Sequence, residues 1–302
     1  MSTPLFHRAF SALALTGALL IASLTASAAQ KSYTTTAPDG VTIAVQESGK
    51  LDGTPIIFIH GLLGSHLNWD AQLKSPQLQK YRLITYDLRG HGLSSKPSSA
   101  EAYTDGRRWA NDLAAVIKVS HARKPVLVGW SLGGTVISNY LALFGDSRIA
   151  GAVYVDGVIE LKPEQIVPHP AVYRDLNSPD LRTHLEAIRT FLGLCFYKKP
   201  TASTFEILFA NAPIASWPMQ RSVQAMTVAA SSGLSKAKVP VLLIYGAHDA
   251  LVQAKPTIAR ASAINPRIQS KLYAASGHAP FLEEPQRFNR DLSTFIAAIA
   301  RR

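Results

Sequence analysis

The pentapeptide Gly129-Trp130-Ser131-Leu132-Gly133 constrains this chain more than any other feature, because both of its flanks are legible. It follows the apolar run Pro125-Val126-Leu127-Val128, of buried-strand type. After it, residues 135–144 have the length and apolar spacing of a helix and stop at Gly145. A chain that passes from strand to helix through Gly-x-Ser-x-Gly must turn sharply. The glycines allow that turn, and the serine is held in a strained conformation with its hydroxyl above the end of a sheet. Ser131 is the expected nucleophile.

A serine hydroxyl is a poor nucleophile at its free pKa and needs a general base that a carboxylate orients. After an elbow of this kind the expected chain order is serine, acid, histidine. The apolar run 239–246 reads as a strand and leads into Ala247-His248-Asp249-Ala250, which makes Asp249 the acid. The run 271–275 reads as a last strand and leads into Ser276-Gly277-His278, which makes His278 the base. His60 and His91 also lie in glycine-bearing turns at strand ends, but both precede Ser131. Asp87 reads as structural, its carboxylate tying down the turn 89–92 through backbone N–H groups.

Counting strands gives the architecture. Residues 33–36 and 41–46, split by Pro38-Asp39-Gly40, form an expected antiparallel hairpin at the sheet edge. Further strands are expected at 55–60, 82–87, 125–130, 151–155, 239–246 and 270–275, with helices between most of them, as at 109–119 and 288–300. That alternation predicts an α/β fold, a mostly parallel, doubly wound sheet with helices on both faces. The interval 158–237 is too long for a connection and carries helical stretches at 181–194 and 218–230, so it reads as a helical cap inserted between the sixth and seventh strands. The core is then 30–157 and 238–302. The cap's aromatic residues, Tyr173, Phe191, Phe196, Tyr197, Phe205, Phe209 and Trp217 among them, mostly pack the cap, with one or two facing a pocket. Trp130 is expected to pack beside the elbow.

At this point the chain resembles a serine hydrolase of the α/β-hydrolase superfamily, near its esterases, non-haem haloperoxidase-type perhydrolases and C–C hydrolases. The resemblance rests on His60-Gly61, Asp87-Leu88-Arg89-Gly90-His91-Gly92-Leu93-Ser94, the Ser131 elbow, Asp249 and Ser276-Gly277-His278-Ala279-Pro280-Phe281-Leu282-Glu283-Glu284-Pro285, in family order over residues 60–285. It implies an oxyanion hole from the backbone N–H groups of Leu132 and, after the third strand, Leu62. It also keeps Asp156 in competition with Asp249, since some relatives carry the acid at the end of the sixth strand. A carboxylate nucleophile, as in haloalkane dehalogenases and epoxide hydrolases, is disfavoured by the serine at 131.

The first 29 residues read as a cleaved export signal: a short basic start around Arg8, an apolar run over 9–24, and Ala26-Ser27-Ala28 for cleavage after Ala28 or Ala29. The run is shorter than the ~20 residues of a spanning helix, so no stable membrane insertion is expected after cleavage, and a periplasmic or secreted location is. The net charge of +11 comes from scattered lysines and arginines, which read as a solvated surface and not as a nucleic-acid site. Cys195 is the single cysteine and reads as a buried small apolar residue. Neither a metal-ligand cluster nor a phosphate or dinucleotide motif occurs, so no cofactor or metal is expected. The expected activity is cleavage of small to medium, largely apolar carboxylic esters through an acyl-enzyme. Perhydrolysis through the same intermediate is the alternative, and a catalytically silent binding protein of this fold is a remoter one. Natural substrate and oligomeric state are not legible.

Overall fold

The computed structural model describes residues 31–301. The expected export signal lies outside the described residues. Eight strands form one sheet in the order β1-β2-β4-β3-β5-β6-β7-β8. Their ranges are β1 Lys31–Thr36, β2 Thr42–Gly49, β3 Pro55–Ile59, β4 Arg82–Tyr86, β5 Val126–Trp130, β6 Gly151–Val155, β7 Val241–Gly246 and β8 Gln269–Tyr273. β2 runs antiparallel to β1 and β4, and every other pairing is parallel. The central strands β5, β6 and β7 are buried at every position, which explains why their sequences are continuous apolar runs and not alternating ones.

Short helices α1 (Asp70–Leu73) and α2 (Glu101–Thr104) precede the long α3 (Gly106–Val119), and α4 (Leu132–Phe144) leaves the Ser131 elbow. Five α-helices lie between β6 and β7: α5 (Pro170–Leu176), α6 (Leu181–Leu194), α7 (Ala202–Asn211), α8 (Trp217–Ser222) and α9 (Ala230–Leu234). α10 (Ala254–Ile264), α11 (Pro280–Glu283) and α12 (Pro285–Ala300) complete the chain. α3 buries Trp109, Leu113, Val116 and Ile117, and α12 buries Phe288, Leu292, Phe295 and Ile296, each set spaced to form one helical stripe against the sheet. Asp105 and Asp180 cap α3 and α6 by accepting the N–H groups of Arg107 and Thr183.

The stretch 218–230, expected to be one helix, is broken. Backbone at Thr227 leaves the helical path to bond the core instead: its N–H donates to the Thr104 carbonyl at 2.9 Å, and its hydroxyl accepts the Gly106 N–H at 3.0 Å. α7 was not anticipated. Thr201 starts it by capping Thr204, and its Phe205 and Phe209 rings pack against the Arg189 guanidinium of α6.

The parallel registers pair Ile59 with Gly129, Trp130 with Val155, and Val155 with Ile244. The carboxyl ends of β3, β5, β6 and β7 therefore lie side by side at one edge of the sheet. In open α/β sheets ligands bind outside this edge.

Candidate active site

Ser131 follows the last residue of β5 with φ 51° and ψ −114°, a left-handed backbone that a side chain rarely adopts. Its N–H is bonded to the Val155 carbonyl at 3.0 Å, and its carbonyl accepts from Gly134 and Val158 at 2.9 and 3.0 Å, so the turn is held from both sides. The serine side chain makes no capping bond to α4. Among the described residues, neither Gly129 nor Gly133 has a positive φ, so these glycines supply space and the strain falls on the serine. A Cβ on Gly133 would sit 2.5 Å from the Ile59 carbonyl oxygen.

Ser131 lies in the wall of an apolar cavity of about 390 Å³. Leu62 and Leu132 line it beside the serine. Leu132 is the first residue of α4, where backbone N–H groups have no partner inside the helix. The opposite wall comes from the segment between β6 and β7, including Val158, Ile166, Tyr173 and Phe191, and from Leu251 and Val252 of the loop after β7. Tyr173 and Phe191 are thus the cap aromatics that reach the cavity, a distinction hidden in the sequence.

The His278 Nδ1–H donates to Asp249 Oδ2 at 2.8 Å, and both side chains are almost wholly buried. The other carboxylate oxygen of Asp249 accepts the N–H groups of Leu251 and Val252 at 2.7 and 3.0 Å. Burial opposes ionisation of Asp249, but His278 and these donors hold its carboxyl below the usual carboxylate range. His278 Nε2 is buried and makes no hydrogen bond among the described residues. The carbonyl of His278 accepts the indole N–H of Trp130 at 2.6 Å, so the residue preceding Ser131 grips the backbone of the histidine. The sequence implies that Trp130 packs beside the elbow, but the bond itself has no local signature. The only available signal was an indole at the x position next to the serine.

The remaining candidates are supports. The His60 Nε2 accepts the Leu88 N–H at 2.9 Å, and the His91 Nδ1–H donates to the Arg89 carbonyl at 3.0 Å. Asp87 accepts the His66 and Leu93 N–H groups at 2.7 and 2.8 Å, so it ties the loop after β3 to the far end of its own turn, beyond the expected 89–92. Cys195 is buried at the end of α6, and burial raises its thiol well above the usual range, so it stays an unreactive thiol. Asp156 bonds the Gly246 N–H and not His278. Among the described residues one set of potential metal ligands comes together, Asp156, Asp249 and His278. The Nδ1–Oδ2 bond between His278 and Asp249 already occupies that space.

Residues 56–291 match the alpha/beta hydrolase family. The chain belongs to that family. This alpha/beta hydrolase is similar to a crystal structure named as a "putative aryl esterase" from Burkholderia cenocepacia, with 70% identity, a TM-score of 0.90, and 90% of this chain and 100% of that one covered. It is 27% identical to a non-heme chloroperoxidase of Streptomyces lividans, over 87% of this chain and 99% of that protein. It is also 27% identical to a bifunctional esterase/perhydrolase of Acinetobacter calcoaceticus, with the same two shares covered.

Proposed function

We propose that this alpha/beta hydrolase is an exported serine esterase that cleaves small to medium, largely apolar carboxylic esters through an acyl-enzyme. Ser131 attacks the carbonyl while His278 takes its proton through Nε2, and Asp249 orients the imidazole and stabilises the imidazolium. The N–H groups of Leu62 and Leu132 receive the oxyanion. His278 then returns the proton to the leaving alcohol and activates the water that releases the acid. Residues 158–237 act as the cap over residues 30–157 and 238–302. The observation that carries this reading is the buried Asp249–His278 pair, whose histidine carbonyl accepts the indole N–H of Trp130, the residue just before the strained Ser131 that lines an apolar cavity. Names among similar proteins, an aryl esterase and an esterase/perhydrolase, support the same reaction class.

Covalent labelling tests the nucleophile. A phosphonate ester should modify Ser131 alone, read by peptide mass spectrometry, and stop turnover of p-nitrophenyl esters in proportion to labelling. Full turnover after complete Ser131 labelling would overturn the assignment. The chloroperoxidase and perhydrolase names of two relatives favour perhydrolysis as a second reading. Adding hydrogen peroxide to a turning-over ester decides it, because a perhydrolase yields peracid at the expense of acid, whereas an esterase yields acid throughout. An export assay of the full chain, with the mature N-terminus sequenced, tests the signal: cleavage after Ala28 or Ala29 is expected, and an intact cytoplasmic chain would refute it.

A further inference from the structure

The carboxyl of Asp156 belongs to no step described so far, yet it is fully buried at the end of β6, on a residue with φ 41°. One oxygen accepts the Gly246 N–H at 2.8 Å, and the other has no partner among the described residues. Polar atoms of Asp156, Asp249 and His278 lie within 4.8 Å of one another. Two carboxylates this close in a buried site do not both ionise. Asp249 is the anion of the two, because it has two backbone N–H donors and the His278 ring, against one backbone donor for Asp156.

We propose that Asp156 is held protonated, donates its carboxyl proton to Asp249, and is thereby a positioning residue that fixes the carboxylate behind His278. This rests on the reading of Ser131, Asp249 and His278 as the working triad. The donation fills the orphaned oxygen of Asp156 and gives Asp249 a fourth hydrogen bond. The charge on the pair stays at one, which the His278 imidazolium can balance when it forms. Burial and the adjacent Asp249 charge raise the Asp156 carboxyl well above the usual range, in agreement. The other titratable groups around it are Tyr245 of β7, Cys195 at the end of α6 and Glu283 of α11, besides Asp249 and His278 themselves. None but His278 becomes cationic, so nothing else there offsets a second negative charge.

Three variants and one spectrum test it. Asp156→Asn keeps a donor toward Asp249 and an acceptor for Gly246, and should hold kcat/KM within about threefold of the parent. Asp156→Ala removes the donor and should lower kcat about 10- to 100-fold with KM little changed. The Asn variant should keep the parent's acidic limb, set with one negative charge in both, and extend its alkaline limb upward, because it has no proton to lose. Infrared difference spectroscopy at neutral pH should show a protonated-carboxyl C=O band in the parent that Asp156→Asn deletes. An Asn variant as impaired as the Ala variant, or a spectrum without that band, would overturn the proposal. Ser131→Ala separates the two readings: if it retains turnover the triad fails, whereas the infrared band reports on Asp156 whichever residue attacks.

Discussion

At the scale of single residues, the site depends on a few atoms whose removal should cost rate and not fold. Ser131→Ala should abolish ester turnover with the melting temperature near the parent's, since the hydroxyl makes no capping bond. His278→Ala should be equally severe, and the double variant no worse than either, because triad members act as a unit. Asp249→Asn should lose on the order of 10⁴ in kcat, the loss expected when such a carboxylate becomes an amide. Trp130→Phe is a subtler case. Phenylalanine keeps the ring beside Phe281, now 5.1 Å from the indole, but leaves the buried His278 carbonyl without its donor. The unsatisfied carbonyl should cost about 1–3 kcal/mol of stability by denaturant titration. The freed histidine backbone should lower kcat more than it raises KM, and a variant matching the parent in both measurements would reduce Trp130 to packing.

Secondary elements matter here through the loops they bring into contact, and one glycine shows how tightly. Gly246 ends β7 just before the Asp249 loop, and a Cβ on it would lie 1.9 Å from the Gly277 carbonyl oxygen, one residue before His278. The loops carrying Asp249 and His278 can approach only because that side chain is absent. Gly246→Ala should therefore lower both the melting temperature and kcat/KM, the latter by about 100-fold as the two loops separate by about an ångström. Gly193→Ala provides the contrast. That residue sits within α6 with nothing inside 4 Å of the added carbon, so the change should stabilise the protein by roughly 0.5–1 kcal/mol, measured by chemical denaturation. The sequence made the strands legible because burial on both faces leaves an apolar run bounded by turns. It made Ser131 and Asp249 legible as candidates because each follows such a run, whereas β8 before His278 is mostly exposed and the histidine was legible from the expected order of serine, acid and histidine. The Trp130 to His278 bond joins residues 148 apart, and Tyr173 and Phe191 face the cavity only once α5 and α6 pack together, so neither had a local signature. The break at Thr227 was hidden for the same reason: a bond to Thr104 outweighs local helical spacing.

For the molecule as a whole, two properties follow from what it buries. Burial pushes the His60 imidazole down to about 4 and the His91 imidazole to about 3. In the unfolded chain both protonate near pH 6.5, so the unfolded state takes up protons first. Stability is therefore full above about pH 6.5 and falls as the pH drops toward 4, by roughly 3 kcal/mol from His60 alone at the lower end. Melting temperatures at pH 7, 5.5 and 4.5 should decline in that order, and a flat series would show that neither ring is buried neutral. The second property is the apolar cavity. One wall carries Ser131 and Leu132 and the other is built from the segment between β6 and β7, which is joined to the loop after β7 by the pairing of Ile166 with Val252. Lengthening the acyl chain of a p-nitrophenyl ester then places each new methylene against apolar side chains. Each one gains up to about 0.8 kcal/mol, or roughly fourfold in kcat/KM. The gain should end where about 390 Å³ is filled, because further carbons then pass beyond the apolar lining that includes Tyr173 and Phe191. A maximum at short to medium acyl groups is expected, and Phe191→Ala should move it to longer ones without changing the rate on acetate. A preference for long-chain emulsified triglycerides, or rates indifferent to acyl length, would mean that this cavity does not receive the acyl group.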